Sequence, residues 1–328
     1  MNTTHAKSPC CRARINKFGE RRRQCNLCQK TWRIRRKRRG RKRIRVTTIR
    51  IENYLFGNSL PTAKLAQRIN KNRELVRRRL KSGLVKYLAK RSWEMPPPGN
   101  LILIADAMWQ GLEGVCCTIY LCLVRPIDSD RAYILKPVII SDGESYEGWK
   151  TVLSALPDEL RSRIVALVCD GHTGLLILGR NYGWHIQRCH FHVLARIYKY
   201  ASPGKLRRQG NFALFTLGAV RGALKCSSDD LEYFLDDIKF ASKIARNILL
   251  RRVLSGLHGH IEDYRTYLRY PEYNLPITSN AAESLIGLIR GLLFRARGFR
   301  TIDSFTQWLE AFCLHKKYVK CRGKFQPN

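Results

Sequence analysis

The sequence predicts an α/β protein, with a mixed sheet interrupted by an all-α insertion and two small modules in front of it. Three observations predict this. After the proline-rich break MPPPGN at 95–100, three apolar runs of strand length follow one another and then alternate with helical patterns. Between about 201 and 276 the periodicity is helical. Ahead of the break the chain is crowded with cations and carries Cys10, Cys11, Cys25 and Cys28.

The 328 residues allow two or three domains, with ample chain for one substantial core. The net charge of +36 is far beyond what solubility requires, and nucleic acid is the commonest partner for such an excess. It is lopsided. Residues 1–91 hold 30 Lys and Arg against Glu20, Glu52 and Glu74, so +27 lies there and +9 in the remainder. The N-terminus MNTTHAKSPCC has no apolar h-region, and the longest uncharged apolar stretch, VCCTIYLCLV at 115–124, is about half a membrane span. The expectation is a soluble, cytoplasmic protein with no membrane partner. Of twelve cysteines, Cys116, Cys117, Cys122 and Cys169 sit in strand-like apolar runs, where cysteine behaves as a small buried hydrophobe. A reducing interior therefore fits better than a disulfide framework.

Residues 5–32 read as a zinc-ribbon-like module. In QCNLCQKTW, Cys25 and Cys28 precede an aromatic, as in the second half of a ribbon, because two thiolates at that spacing occupy adjacent corners of a tetrahedron. The first half is irregular. A regular ribbon would place Cys at 8 and 11, but position 8 is Ser8, so Cys10 or His5 has to substitute beside Cys11. One structural Zn²⁺ on Cys10, Cys11, Cys25 and Cys28 is the expectation.

Residues 33–45, RIRRKRRGRKRIR, form a basic linker in which Arg35, Arg36, Arg38, Arg39, Arg41 and Arg43 bind DNA. Residues 46–91 read as a helix-turn-helix domain. Ser59 caps its first helix, Pro61 suits the first turn, and Leu65, Ala66 and Ile69 line one face. After a turn at 70–72, the second helix presents Leu75, Val76 and Leu80 inward and stops at Gly83. Arg73, Arg77, Arg78 and Lys81 on its outer side suit DNA recognition.

From residue 99 to 200 the pattern gives strands at 101–109, 114–124 and 132–140, a helix at 145–155, a strand at 164–169, a helix from 172, a strand at 184–188 and a helix from 190. Three meandering strands followed by helix–strand alternation match the order of a ribonuclease H-like core. Asp106 closes LILIAD on its first strand and Asp170 closes RIVALVCD on its fourth; the two strands are neighbours in such a sheet. Residues 201–276 form the all-α insertion, with Asp229 and Glu232 as a capping box and LEYFLDDIKFASKIARNILLRRVLSGL as a helical stripe. Residues 277–320 supply the last helices, where Glu283 opens NAAESLIGLIR. Two aspartates at strand ends and a helix-borne glutamate suit divalent metal ions and phosphoryl chemistry.

Around these acids several residues have two readings. Gly287 and Arg290 lie on one side of the Glu283 helix, as close-approach and phosphate-binding residues or as packing and a solvated cation. Cys189 and His192 in QRCHFHVLAR are one helical turn apart, and with only two ligands they fit structural packing and hydrogen bonding better than zinc. His172 in DGHTG contacts DNA, orients a carboxylate or flanks a helix cap. Trp149, Trp184 and Trp308 suit the core.

Asp106, Asp170 and Glu283, the Cys-x2-His element, and the stretch LPITSNAAESLIGLIRGLLFRARGFRTIDSFTQWLE together resemble D-D-E transposases of bacterial insertion sequences related to the Mutator-like superfamily. The resemblance covers most of residues 100–318. A zinc ribbon and helix-turn-helix in front is typical of several such groups, and the irregular ribbon departs from the usual pattern. The resemblance implies a ribonuclease H-like fold, with Asp106, Asp170 and Glu283 as catalytic residues holding two Mg²⁺ (or Mn²⁺) ions and Cys189 and His192 in support. It implies binding of double-stranded DNA at terminal inverted repeats and in the target, strand cleavage and strand transfer, and a homodimer or higher oligomer on DNA. Two alternatives stand beside it: a transposase-derived DNA-binding regulator without catalysis, which the three intact acids argue against, and a structure-selective nuclease, which would have little need of the front modules.

Overall fold

The computed structural model describes residues 7–18, 22–33, 61–112, 114–200, 211–296, 299 and 301–321. His5, Ser59 and the linker residues Arg35, Arg36, Arg38, Arg39, Arg41 and Arg43 lie outside them. The chain divides into two compact units, Met1–Thr48 and Ile49–Asn328.

In the first unit, strands β1 (Ile15–Lys17), β2 (Arg22–Cys25) and β3 (Thr31–Arg33) form a three-stranded antiparallel sheet in that order. Ser8 is buried, and its hydroxyl accepts the N–H of Ala13 at 3.1 Å, which closes the loop preceding β1.

The second unit opens with helices α1 (Thr62–Ile69) and α2 (Arg73–Ala89). Asn70 ends α1 in the left-handed conformation, and the Asn72 side chain accepts the Glu74 N–H at 2.7 Å to start α2. Pro61 stands at the N-cap, one residue ahead of the first turn expected for it. Helix α2 does not stop at Gly83. The apolar spacing continues through Leu84 and Tyr87, which are buried with Val76 and Leu80, and this stripe outweighs the cost of about 1 kcal/mol for one helical glycine.

A seven-stranded mixed sheet follows, built on β4 (Leu101–Leu112) and β5 (Val115–Pro126), which pair antiparallel over their whole length. The expected third strand at 132–140 is two strands, β6 (Arg131–Ile134) and β7 (Val138–Ile140), each antiparallel to β5. Pro137 between them has no N–H for a continuous ladder. Helices α3 (Tyr146–Ser154) and α4 (Asp158–Arg161) lead to β8 (Ile164–Cys169), and α5 (Thr173–Asn181) leads to β9 (His185–Arg188). Strand β8 runs parallel to β4, and β9 runs parallel to β8. Helix α6 (His190–Tyr200) leaves the sheet.

The all-α insertion contains α7 (Phe212–Lys225), α8 (Leu231–Ile244), α9 (Ile248–Gly259), α10 (Ile261–Tyr264) and α11 (Thr266–Arg269). Its stripe is broken between α8 and α9, where the Asn247 side chain caps the second helix. The expected Asp229–Glu232 capping box is absent. Helix α8 starts one residue later, with Asp230 as N-cap, and Asp230 instead accepts a hydrogen bond from the Ser227 hydroxyl at 3.0 Å. The insertion has its own core, shared with Val193 and Ile197 of α6. Buried Gln187 of β9 welds it to the sheet: its amide donates to the Tyr264 carbonyl at 2.9 Å, and its oxygen accepts the Tyr267 N–H at 2.9 Å.

Helices α12 (Asn280–Ala296) and α13 (Ile302–Lys316) end the unit, with the unexpected edge strand β10 (Tyr318–Lys320) antiparallel to β6. The sheet order is β10-β6-β5-β4-β8-β9. Successive side chains of β4 pack into different cores. Ile102, Ile104 and Met108 join α2, α12 and α13; Leu101, Leu103 and Ala105 join α3, α4 and α5. This burial on both faces explains why LILIAD is an unbroken apolar run. Trp149, Trp184 and Trp308 are all buried in the core. Cys117, Cys122 and Cys169 are buried as expected, whereas Cys116 is exposed near the outer end of the β4–β5 ladder, where it pairs with Gly111. All twelve cysteines are free thiols. No helix of the described residues is long and apolar enough to cross a membrane.

Candidate active site

Strand register brings the two aspartates together. Ile102, Leu103 and Ile104 of β4 pair with Ala166, Leu167 and Val168 of β8 at a constant offset of 64 residues, and Asp106 and Asp170 differ by the same 64. The offset sets them opposite one another on adjacent parallel strands, Asp106 midway along β4 and Asp170 just past the end of β8. Both lie an even number of residues along from the side chains that face α12, so they point to the face that carries Glu283. Helix α12 is seated there by Ala281, Ala282, Leu285 and Ile289, all buried. Glu283, in its first turn, sits at the margin of that apolar stripe and is half-buried.

Asp106 records this convergence electrostatically. Burial drives its pKa up to about 7, the neighbouring charge of Asp170 adds to the rise, and Glu283 contributes a smaller push in the same direction; His192 and the Ala107 N–H oppose it. A buried carboxylate facing two others is costly to ionise without a cation, and hard oxygen donors of this kind suit a divalent ion such as Mg²⁺.

The Cys-x2-His element ties the acids to one another. The Cys189 N–H donates to the carbonyl of Cys169, next to Asp170, at 2.8 Å. The Cys189 sulfur accepts the N–H of Ser279 at 3.3 Å, and the Ser279 hydroxyl donates to Glu283 Oε1 at 3.3 Å. The His190 N–H donates to the Ile277 carbonyl at 2.9 Å, which docks the same loop. His192 Nδ1 stands 3.6 Å from Glu283 Oε1 and has no hydrogen-bond partner among the described residues. Hydrogen bonding to Cys189 is the main cause raising the His192 pKa to about 9; burial opposes the rise, and Asp106 and Asp170 add to it. Cys189, His192 and Glu283 offer donor atoms within 4.8 Å of one another, close enough to share a metal ion.

Sequence reasoning missed Ser279, Glu144 and Trp109. Ser279 is fully buried, and its position one helical turn before Glu283 in ITSNAAE was a legible signal. Glu144 accepts the Trp149 indole N–H at 2.8 Å, stands 4.0 Å from His172, and is raised in pKa by burial foremost and also by Asp170. Nothing in its sequence context marks it. Trp109, three residues beyond Asp106 on β4, is 73% exposed. His172 is the N-cap residue of α5, and its N–H donates to Asp170 at 3.0 Å. A Cβ at Gly287 would meet nothing among the described residues, and Arg290 is exposed.

In the first unit Cys10, Cys11, Cys25 and Cys28 bring their sulfurs within 4.8 Å of one another, so the set could hold a metal such as zinc. Ser8 fills the place of the missing thiolate, its Oγ 3.2 Å from the Cys25 sulfur, while Cys10 reaches Cys28 at 3.3 Å. Hydrogen bonding to Ser8 is the main cause lowering the Cys25 pKa to about 6, and hydrogen bonding to Cys28 is the main cause raising Cys11 to about 12. On α2, Arg73, Arg77, Arg78 and Lys81 are all exposed, and Arg77 is engaged by Glu74 through two hydrogen bonds of 2.8 and 2.9 Å.

A mixed sheet with one acid midway along β4, a second just past the end of the parallel strand β8 and a third on the helix packed across them defines an α/β protein with three acids carried to one face of the sheet. Residues 115–296, more than half of the chain, match the family model described as Transposase, Mutator family, and the chain belongs to that family. The match includes Asp170, Cys189, His192 and Glu283 and begins after Asp106. A comparison with curated proteins finds no match.

Proposed function

We propose that this chain is the transposase of a DNA insertion sequence, with Asp106, Asp170 and Glu283 as its catalytic carboxylates in a ribonuclease H-like core. The observation that carries this reading is the shared 64-residue offset of Asp106–Asp170 and the β4–β8 ladder, with α12 packed on the same face. The antiparallel β4–β5–β6 group followed by parallel β8 and β9 supports the ribonuclease H-like assignment.

The three carboxylates supply the oxygen ligands for two divalent ions. When bound, those ions lower the pKa of an attacking water or 3′-hydroxyl and stabilise the leaving oxygen of the phosphodiester. Ser279 holds Glu283 by its hydroxyl, and cationic His192 offsets part of the local negative charge. Cleavage and strand transfer are then one in-line displacement with two nucleophiles. The cysteine cluster with one Zn²⁺, the basic linker, and α1–α2 as a helix-turn-helix recognise the terminal inverted repeats, and two ends are held by an oligomer of the chain.

The test is purified protein with its flanking DNA and Mg²⁺, comparing wild type with Asp170→Asn. Nicked and joined products from wild type alone support the reading; equal yields from both proteins sink it.

A further inference from the structure

Where β9 and α6 meet the insertion, a cavity of about 210 Å³ opens directly beside Asp170. Its polar lining is unusual in charge: Arg188, Arg196 and Arg252 face one acid, Asp170. Three guanidinium groups around one carboxylate leave a net +2, and that carboxylate is the one the proposed site commits to divalent ions. The nearby acids are already engaged, Asp263 by Arg180 at 2.7 Å and Glu262 by Arg269 at 3.6 Å.

Arg188 is held in place before any ligand arrives. Its guanidinium lies over the ring of buried Tyr264, 4.7 Å from the centroid, and against Gly171. A Cβ at Gly171 would meet Arg188 Nη2 at 2.5 Å and Nε at 2.6 Å and would push the guanidinium aside, and the backbone φ of +101° there favours glycine. The Arg188 Nε is buried and has no hydrogen-bond partner among the described residues, although a guanidinium presents a fork of donors suited to phosphate oxygens. Arg196 and Arg252 are exposed and make no hydrogen bond or ion pair with the described residues.

We propose that Arg188, Arg196 and Arg252 form a receptor for a backbone phosphate of the DNA strand being cut, one that neighbours the scissile phosphodiester, so that the insertion holds the strand against Asp170. This rests on the transposase reading above. The cavity is smaller than the roughly 300–1,000 Å³ typical of sites for whole small ligands, which suits one group of a polymer better than a free nucleotide. The positions of the arginines also divide the work: Arg188 comes from the sheet, Arg196 from α6 and Arg252 from α9 of the insertion, so the ligand would join core and insertion.

The test uses full-length protein and end-containing duplexes in which single phosphates around the cut are replaced by uncharged methylphosphonates. Binding and cleavage are read separately. For wild type, one replacement near the cut is expected to weaken both by about tenfold. Arg196→Ala and Arg252→Ala, which change exposed side chains and should melt like wild type, are expected to lose about tenfold on unmodified DNA and to become insensitive to that replacement. Arg188→Lys, which keeps the charge but not the fork, should show the same insensitivity in part. Uniform tolerance of every replacement, or undiminished sensitivity in the double variant Arg196→Ala/Arg252→Ala, overturns the receptor. Asp170→Asn separates the two levels. If it is inactive while the arginine variants bind and cut like wild type, the receptor alone is wrong; if it cuts like wild type, the active-site reading has failed.

Discussion

The protein has two sets of side chains proposed as metal ligands, and they are assembled by opposite means. Cys10, Cys11, Cys25 and Cys28 span 19 residues and meet through tight local turns at the edge of a three-stranded sheet. Asp106, Asp170 and Glu283 span 178 residues and are carried to one face of the sheet by a parallel ladder and a packed helix that bring remote segments together. The first cluster depends on spacing and the second on topology. A local cluster is therefore exposed to failure of its own few residues, whereas the remote one also depends on every apolar contact that seats β8 and α12.

The sharpest way to break the comparison is at the acids themselves. Asp106→Asn should lower single-turnover cleavage by at least about 10³-fold, the scale of several kcal/mol of lost charge stabilisation. Zinc content of the first unit should stay unchanged, as measured by metal analysis of the same preparation. Cleavage within tenfold of wild type would show that Asp106 is buried at the site without serving it.

Two substitutions made side by side sharpen the contrast. Leu285 is fully buried where α12 meets the sheet, so Leu285→Ala should cost about 2–5 kcal/mol of stability in the second unit and displace Glu283, with the cysteine cluster intact. Cys25→Ala should do the reverse, abolishing bound zinc while the main unfolding transition of the second unit stays within about 0.5 kcal/mol. Denaturant unfolding and metal analysis on full-length protein decide both. Loss of zinc in Leu285→Ala would contradict the independence of the two assemblies.

These two modes of assembly also explain what the sequence made legible. Cys25 and Cys28 announce themselves by spacing, and Asp106 and Asp170 by closing apolar runs that had to be buried strands. The offset of 64 residues was visible too, but its meaning needed the β4–β8 register, which no local pattern encodes. Gly83 reads as a stop for α2, yet the apolar stripe running on to Tyr87 carries the helix past it. The apolar character of 132–140 predicts one strand, and Pro137, which lacks a donor, splits it into two. Glu144 was invisible for a different reason: it lies in a loop, and its proximity to Asp170 and His172 is a property of tertiary packing alone. Position 8 gives no sign of how an irregular first half is completed; in the fold Cys10 lies 3.3 Å from Cys28, beside Cys11 and Cys25.

Proton linkage tests the remote cluster further. With a folded pKa of about 7 against an unfolded value near ~3.9, Asp106 keeps a proton in the folded chain that the unfolded chain has released. Between about pH 4 and pH 7 the metal-free protein should therefore lose stability as pH rises, since the folded state binds more protons there. A divalent ion needs the ionised carboxylate, so apparent metal affinity should fall roughly tenfold per unit as pH drops below about 7. Isothermal titration with Ca²⁺ at pH 6 and pH 8 measures this. Equal affinities at the two pH values would mean that Asp106 is not a ligand.

The smallest effect probes how the remote cluster is finely placed. Ser279 stands between Cys189 and Glu283, and its O–H···O contact of 3.3 Å is longer than the usual value of about 2.7–2.8 Å. Its removal should therefore cost only about 1 kcal/mol, or roughly a fivefold fall in cleavage rate. Ser279→Thr keeps the hydroxyl but adds a methyl in a fully buried position, so Ser279→Cys, closer in volume, is the better partial replacement. If the hydroxyl acts by orienting Glu283, Ser279→Ala should reduce the cleavage rate with DNA affinity unchanged. If it serves only the fold, stability should fall while the rate per folded molecule stays constant. The distinction matters because the Cys169–Cys189–Ser279–Glu283 path is a hydrogen-bonded route from the backbone beside Asp170 to the helix that carries the third acid. A rate effect would make that route, and not the packing of α12 alone, the element that sets the spacing of the carboxylates.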